Sequence, residues 1–233
     1  MNATLTIPGR YNGPPDSGNG GYSCGVLAAF IDGPARVRLS APPPLDTALQ
    51  VRDEDGRIGL YQGEQLVGSA VTADLELDVP PAPPAADARA AMDEYAGRSG
   101  HTLPTCYVCG PERPAHDGLE LYTGPVGDAG MVACVWTPAD DTAREGGAVR
   151  PEIVWAALDC PGYFATMGSA PRPALLGELT AELREAVPVG EELVVYAWPT
   201  GAEGRKLYAG SAIASASGEI LACAMSTWIL LRE

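Results

Sequence analysis

The chain has 233 residues, 46% of them hydrophobic, with 30 acidic against 15 basic side chains. This is enough apolar material for one large domain or two small ones, and too much for a disordered chain. A net charge of −15 excludes the basic stripe that a sequence-independent grip on nucleic acid requires, and it works against anionic membranes.

The first residues, Met1-Asn2-Ala3-Thr4, lack a basic region followed by an apolar stretch, so no signal peptide is expected. No apolar run approaches the ~18–20 residues of a membrane-spanning helix. Tyr22, Val26, Ala29 and Phe30 fall at helical spacing and predict a helix over about 20–31, stopped by Gly33-Pro34. Asn19 stands where the N-cap would be. Period-2 alternation then predicts strands over 35–40, 45–51, 57–61 and 63–72. The run Val79-Pro80-Pro81-Ala82-Pro83-Pro84 can continue neither a strand nor a helix interior. A short polar helix is expected over 87–96. A second apolar helix is expected over 151–159, with Pro151 in its first turn and Pro161 as its breaker. Strands follow over 179–184, 189–195, 205–214 and 218–228.

The chain repeats itself. Gly63-Glu64-Gln65-Leu66-Val67-Gly68-Ser69-Ala70-Val71-Thr72 matches Gly218-Glu219-Ile220-Leu221-Ala222-Cys223-Ala224-Met225-Ser226-Thr227, and Ala35–Ser40 parallels Leu179–Arg184. Each half reads as strand, helix, then four antiparallel strands. That order suits a curved sheet wrapped around one buried helix, the hotdog architecture. The expected fold is therefore an α+β double hotdog: two curved antiparallel sheets, each wrapped around a central helix. Its parts are an N-terminal half at 1–80, a Pro-rich linker at 81–104 and a C-terminal half at 105–233. Two such halves cover sheet edges that one would leave bare.

Cys106-Tyr107-Val108-Cys109-Gly110-Pro111, followed by Gly118-Leu119-Glu120-Leu121, resembles a motif that opens many hotdog thioesterase-like domains. Trp155-Ala156-Ala157-Leu158-Asp159-Cys160-Pro161-Gly162 is similar to the central helix of those proteins, and the strand from Gly218 to Trp228 to their last strand. The resemblance covers 105–233 directly and 1–78 through the repeat. It implies hydrolysis of an acyl-CoA or related thioester, with an Asp on or near the central helix as base or nucleophile. Asp159 is that residue. Counting nine residues from Arg150 reaches Asp159, whereas counting nine from Asn19 reaches Ala28, so only the second half keeps the acid.

Helix amides near Asn19, Gly20, Gly21, Tyr22 and Ser23, with Trp155 and Arg150, are the candidate substrate contacts. Glu152 suits the helix macrodipole. Arg172, Arg184, Arg205 and Lys206 are available to phosphate groups. The alternative is a hotdog module that binds an acyl ligand or a partner without turnover. Gly21-Tyr22-Ser23-Cys24-Gly25 matches a nucleophile elbow, but Pro14-Pro15 stands where the elbow's strand belongs. Cys106 and Cys109 could bind zinc with His101 or His116, but a single pair is weak evidence, and packed thiols are the expectation. No metal and no cofactor is assigned. Cys24, Cys134, Cys160 and Cys223 read as buried thiols of a reduced, cytoplasmic protein. A homodimer is expected.

Overall fold

The computed structural model describes residues 2–232. The alternating segments become strands: β1 (Asn2–Thr6), β2 (Ala35–Leu39), β3 (Ala48–Glu54), β4 (Arg57–Gln62), β5 (Gln65–Thr72), β6 (Gly124–Val126), β7 (Met131–Trp136), β8 (Ala174–Leu183), β9 (Leu193–Glu203), β10 (Lys206–Ala214) and β11 (Ile220–Leu230). They form one antiparallel sheet in the order β1-β3-β4-β5-β2-β8-β11-β10-β9-β7-β6. The expectation of two sheets is corrected here. β2 and β8 would each be a bare edge, and they pair with each other instead.

Around that junction the order reads alike in both directions. The junction has two-fold logic of its own: Ala35 faces Ala181 and Val37 faces Leu179, on either side of Arg36 opposite Thr180. The inward residues are fully buried, Val37 at 0% and Leu179 at 0% exposure. Burying each side chain of this size contributes about 1.5–3 kcal/mol. The Arg38–Glu178 ion pair across the junction leaves Arg38 mostly exposed, so it adds little.

One detail of the repeat shifts. Ala70 pairs with Val37, and Ala224 pairs with Ala181. Because Val37 and Ala181 are equivalent, Ala70 corresponds to Ala224, not to Met225 as the match of Gly63 with Gly218 implies. Both hairpins carry the same bulge, at Leu60/Tyr61 and at Ile213/Ala214, so the extra residue lies in the turn: 63–64 between the paired Gln62 and Gln65, but 216–218 between the paired Ser215 and Glu219. Without that correction every side chain of β11 would be assigned to the wrong face.

The helices are α1 (Gly20–Ala28), α2 (Ala85–Ala91), α3 (Pro151–Ala157) and α4 (Cys160–Met167). α1 and α3 pass each other in opposite directions in the core. Their approach is close because two glycines permit it. A Cβ on Gly21 would lie 2.5 Å from the Trp155 carbonyl oxygen, and one on Gly25 would lie 2.5 Å from the Glu152 Cα. The second central helix ends at Ala157, two residues before the expected end. Pro161 does not only break it: it sits in the first turn of α4, where its missing N–H costs nothing.

The segment that runs into the linker is held in place. Leu75, Leu77 and Val79 pack with the cluster of Val194, Tyr196 and Ala212 on the other face of the sheet, and the Tyr196 hydroxyl donates to the Pro80 carbonyl at 2.7 Å. The expected helix at 87–96 is α2 followed by single 3-10 turns at Met92–Glu94 and Ala96–Arg98. No helix of the described residues is long and apolar enough to cross a membrane.

Candidate active site

Asp159 occupies the two-residue break between α3 and α4, with φ −81° and ψ −80°. The break turns its side chain toward the start of α1, which the first half supplies. Asp159 Oδ2 accepts the Gly21 N–H at 2.8 Å and the Asn19 Nδ2 at 3.0 Å. Asn19 thus has two tasks. Its Oδ1 caps α1 by accepting the Tyr22 N–H at 2.8 Å, and its amide nitrogen holds the carboxylate. The Gly20 N–H, the other free amide of that first turn, meets no acceptor among the described residues.

Asp159 is 1% exposed, and its Oδ1 has no hydrogen-bond partner. Burial pushes its carboxyl up to about 7, against the pull of the Gly21 amide and Asn19. It lines a cavity of about 250 Å³ together with Asn19, Gly20, Leu39, Tyr163 and Trp228. The cavity takes its walls from both halves of the chain. Trp228 Nε1 is a second buried polar atom of this wall with no partner. From sequence Trp228 reads as core; its strand position gives no sign that the indole N–H is left free.

The structure brings Asn19, Gly20, Gly21 and Asp159 together. It places the other candidates elsewhere. Ser23 is buried, and its Oγ donates to the Asn19 carbonyl at 2.7 Å, one turn back in the helix. The glycines of the apparent elbow serve the α1–α3 contact instead. Tyr22 stacks on Tyr11 with ring centroids 4.0 Å apart. Arg150 donates to the Tyr11 hydroxyl at 3.0 Å and pairs with Glu152. Trp155 lies at the other end of the helix crossing, in a second cleft with Ala28 and Pro151. Arg184 pairs with Glu182 beside that second cleft, and Arg205 donates to the Leu230 carbonyl. Arg172, Arg184, Arg205 and Lys206 do not line the Asp159 cavity.

Three thiols, Cys106, Cys109 and Cys160, also reach this cavity, with their sulfurs within 4.8 Å of one another. They are the residues of the site that could hold a metal.

This architecture matches solved structures over nearly its whole length. It is similar to an acyl-CoA thioesterase II, TesB2, from Mycobacterium marinum (12% identity, TM-score 0.63, covering 100% of this chain and 93% of that one). A tesB protein of Mycobacterium avium subsp. paratuberculosis aligns at 11% identity and TM-score 0.63, over 99% and 93% of the two chains. A hot dog fold protein of unknown function from Alicyclobacillus acidocaldarius aligns at 15% identity and TM-score 0.64, over 100% and 94%. The chain has the hotdog fold of thioesterase structures. No protein-family model matches it, and no curated protein sequence does.

Proposed function

We propose that this chain is a double hotdog thioesterase, with halves at 1–80 and 105–233 joined by the segment 81–104. It hydrolyses an acyl-CoA or related acyl thioester. The observation that carries this reading is the orphaned Asp159 Oδ1 on the cavity wall, beside a helix N-terminus with an unused amide at Gly20. The names of the structural neighbours agree with it.

In this reading a cavity water is held by Asp159 Oδ1. It adds to the thioester carbonyl carbon while its proton passes to Asp159. The oxygen that gains charge turns to the Gly20 N–H at the positive end of α1. The C–S bond then breaks, the departing thiolate takes the proton from Asp159, and a carboxylic acid and a thiol leave. Gly21 and Asn19 keep the carboxylate in place throughout by holding Oδ2. The acyl tail lies along Leu39, Tyr163 and Leu176 in the cavity. The six free cysteines agree with a reducing, cytoplasmic setting.

The test is a panel of acyl-CoA thioesters with a thiol-detecting reagent, using wild type and Asp159→Asn. Hydrolysis that disappears in the folded variant supports the enzyme. Saturable acyl-CoA binding with no thiol release by wild type points to the ligand-binding module instead.

A further inference from the structure

Cys106 and Cys109 belong to the loop that leads into β6, and Cys160 is the first residue of α4. The tight turn from Cys106 to Gly110 turns two sulfurs the same way. Gly110 donates to the Cys106 carbonyl at 2.9 Å, and a Cβ on Gly110 would lie 2.5 Å from the Cys106 nitrogen. Cys160 then closes the group: its sulfur is 3.7 Å from that of Cys106. Two thiolates on one tetrahedral zinc, at Zn–S of about 2.3 Å, stand about 3.8 Å apart.

The surroundings of the sulfurs are what simple packing does not explain. Hydrogen-bond donors converge on them. Asn19 Nδ2 lies 3.8 Å from both the Cys106 and Cys160 sulfurs. His101 Nε2 is 3.3 Å from the Cys109 sulfur, while its Nδ1 accepts the Leu103 N–H at 2.9 Å. That second bond places the imidazole proton on Nε2, so His101 donates to Cys109. Neutral thiols are weak acceptors, and donors grouped around buried sulfur fit thiolate charge. Ionising all three sulfurs, which are 2%, 2% and 6% exposed, would require a cation to offset the cost of burying the charge.

We propose that Cys106, Cys109 and Cys160 form a binding site for one thiophilic divalent cation of the zinc class, with His101 and Asn19 as donors to the ligand sulfurs. The soft ligand set selects zinc over magnesium or calcium. Binding releases three protons, one from each thiol, and leaves a complex of charge −1 that the His101 and Asn19 donors temper. The fourth coordination place belongs to a water of the cavity that the three cysteines share with Asp159. Such an ion ties the loop of 101–110 to the start of α4, and so fixes the backbone next to Asp159. The inference does not depend on hydrolysis, and its test does not read activity.

The full-length chain, purified under reducing conditions without added chelator, should contain one equivalent of zinc by mass spectrometry of the metal. After removal by a chelator, Co²⁺ titration should give a thiolate-to-cobalt charge-transfer band and visible d–d bands that saturate at one equivalent. Chelation should lower the melting temperature, and zinc should restore it. Cys160→Ser and Cys106→Ser should lose the cobalt spectrum, while Cys134→Ser, on β7, keeps it. Should the serine variants fail to fold, the wild-type titration decides alone. A reduced wild-type protein that takes up neither zinc nor cobalt overturns the site. So does an unchanged cobalt spectrum in a folded Cys160→Ser variant, or isolation of the protein with Cys106 and Cys160 joined as a disulfide that no zinc prevents.

Discussion

The two ends of the α1–α3 crossing are built on the same plan and differ in chemistry. At one end the start of α1 faces Asp159. At the other, the start of α3 faces Ala28, in a cleft lined by Gly25, Trp155 and Leu183. Three differences separate them. Ala28 stands where the first end has the acid. Pro151 stands where the first end has Gly20, so the amide without an acceptor is also gone. Arg150 stands where Asn19 caps and positions, and its side chain is turned to Tyr11. Under the proposed mechanism, a working cleft would need an acid from one half and amides from the other. Losing the acid and the amide together leaves a wall.

The comparison can be broken most directly at Asp159. Asp159→Asn keeps the shape and removes the base, and thioester hydrolysis should fall by roughly 10²–10⁴-fold with the melting curve preserved. Next is Gly21→Ala. The new methyl would lie 2.5 Å from both the Asp159 Cβ and the Trp155 carbonyl, so helix and carboxylate must separate. Denaturant unfolding should show a loss of about 1–3 kcal/mol, together with reduced hydrolysis.

Asn19→Ala comes third. Losing the cap costs about 0.5–2 kcal/mol, and Asp159 loses a donor to its charged form. Hydrolysis that uses ionised Asp159 should rise as pH climbs through about 7, and the variant should shift that midpoint upward. Stability has the opposite slope. The folded carboxyl keeps its proton between 3.8 and about 7 while the unfolded one loses it, so this contribution to stability declines as pH rises across that window. Asp159→Asn should flatten that part of the pH–stability curve. The smallest effect is expected at the other cleft. Ala28→Asp in the Asp159→Asn background should restore no hydrolysis, because Pro151 still has no N–H to give.

Much of this was legible in the residues. Alternation marked the strands of 35–39 and 57–62, the spacing of Tyr22 and Val26 marked α1, and equal counts from Asn19 and Arg150 set Ala28 against Asp159. What stayed hidden depends on contacts distant in sequence. The grouping of Cys160 with Cys106 and Cys109 spans more than 50 positions and has no spacing to betray it. The one-residue slip of β11 depends on the length of the turn before it. The 73–79 stretch alternates like a strand, but it packs across a sheet face without joining the ladder. Tyr22 and Arg150 stood beside the right helix starts, and only side-chain direction took them away from the cavity.

The β2–β8 seam has a consequence for how the two clefts could come to differ. An assembly of separate identical chains carries every substitution twice, so an Ala that silences one cleft silences its twin as well. Here the seam lies within a single polypeptide, and its halves meet at any dilution. Each cleft can then change by itself, and a substitution at Ala28 leaves Asp159 untouched.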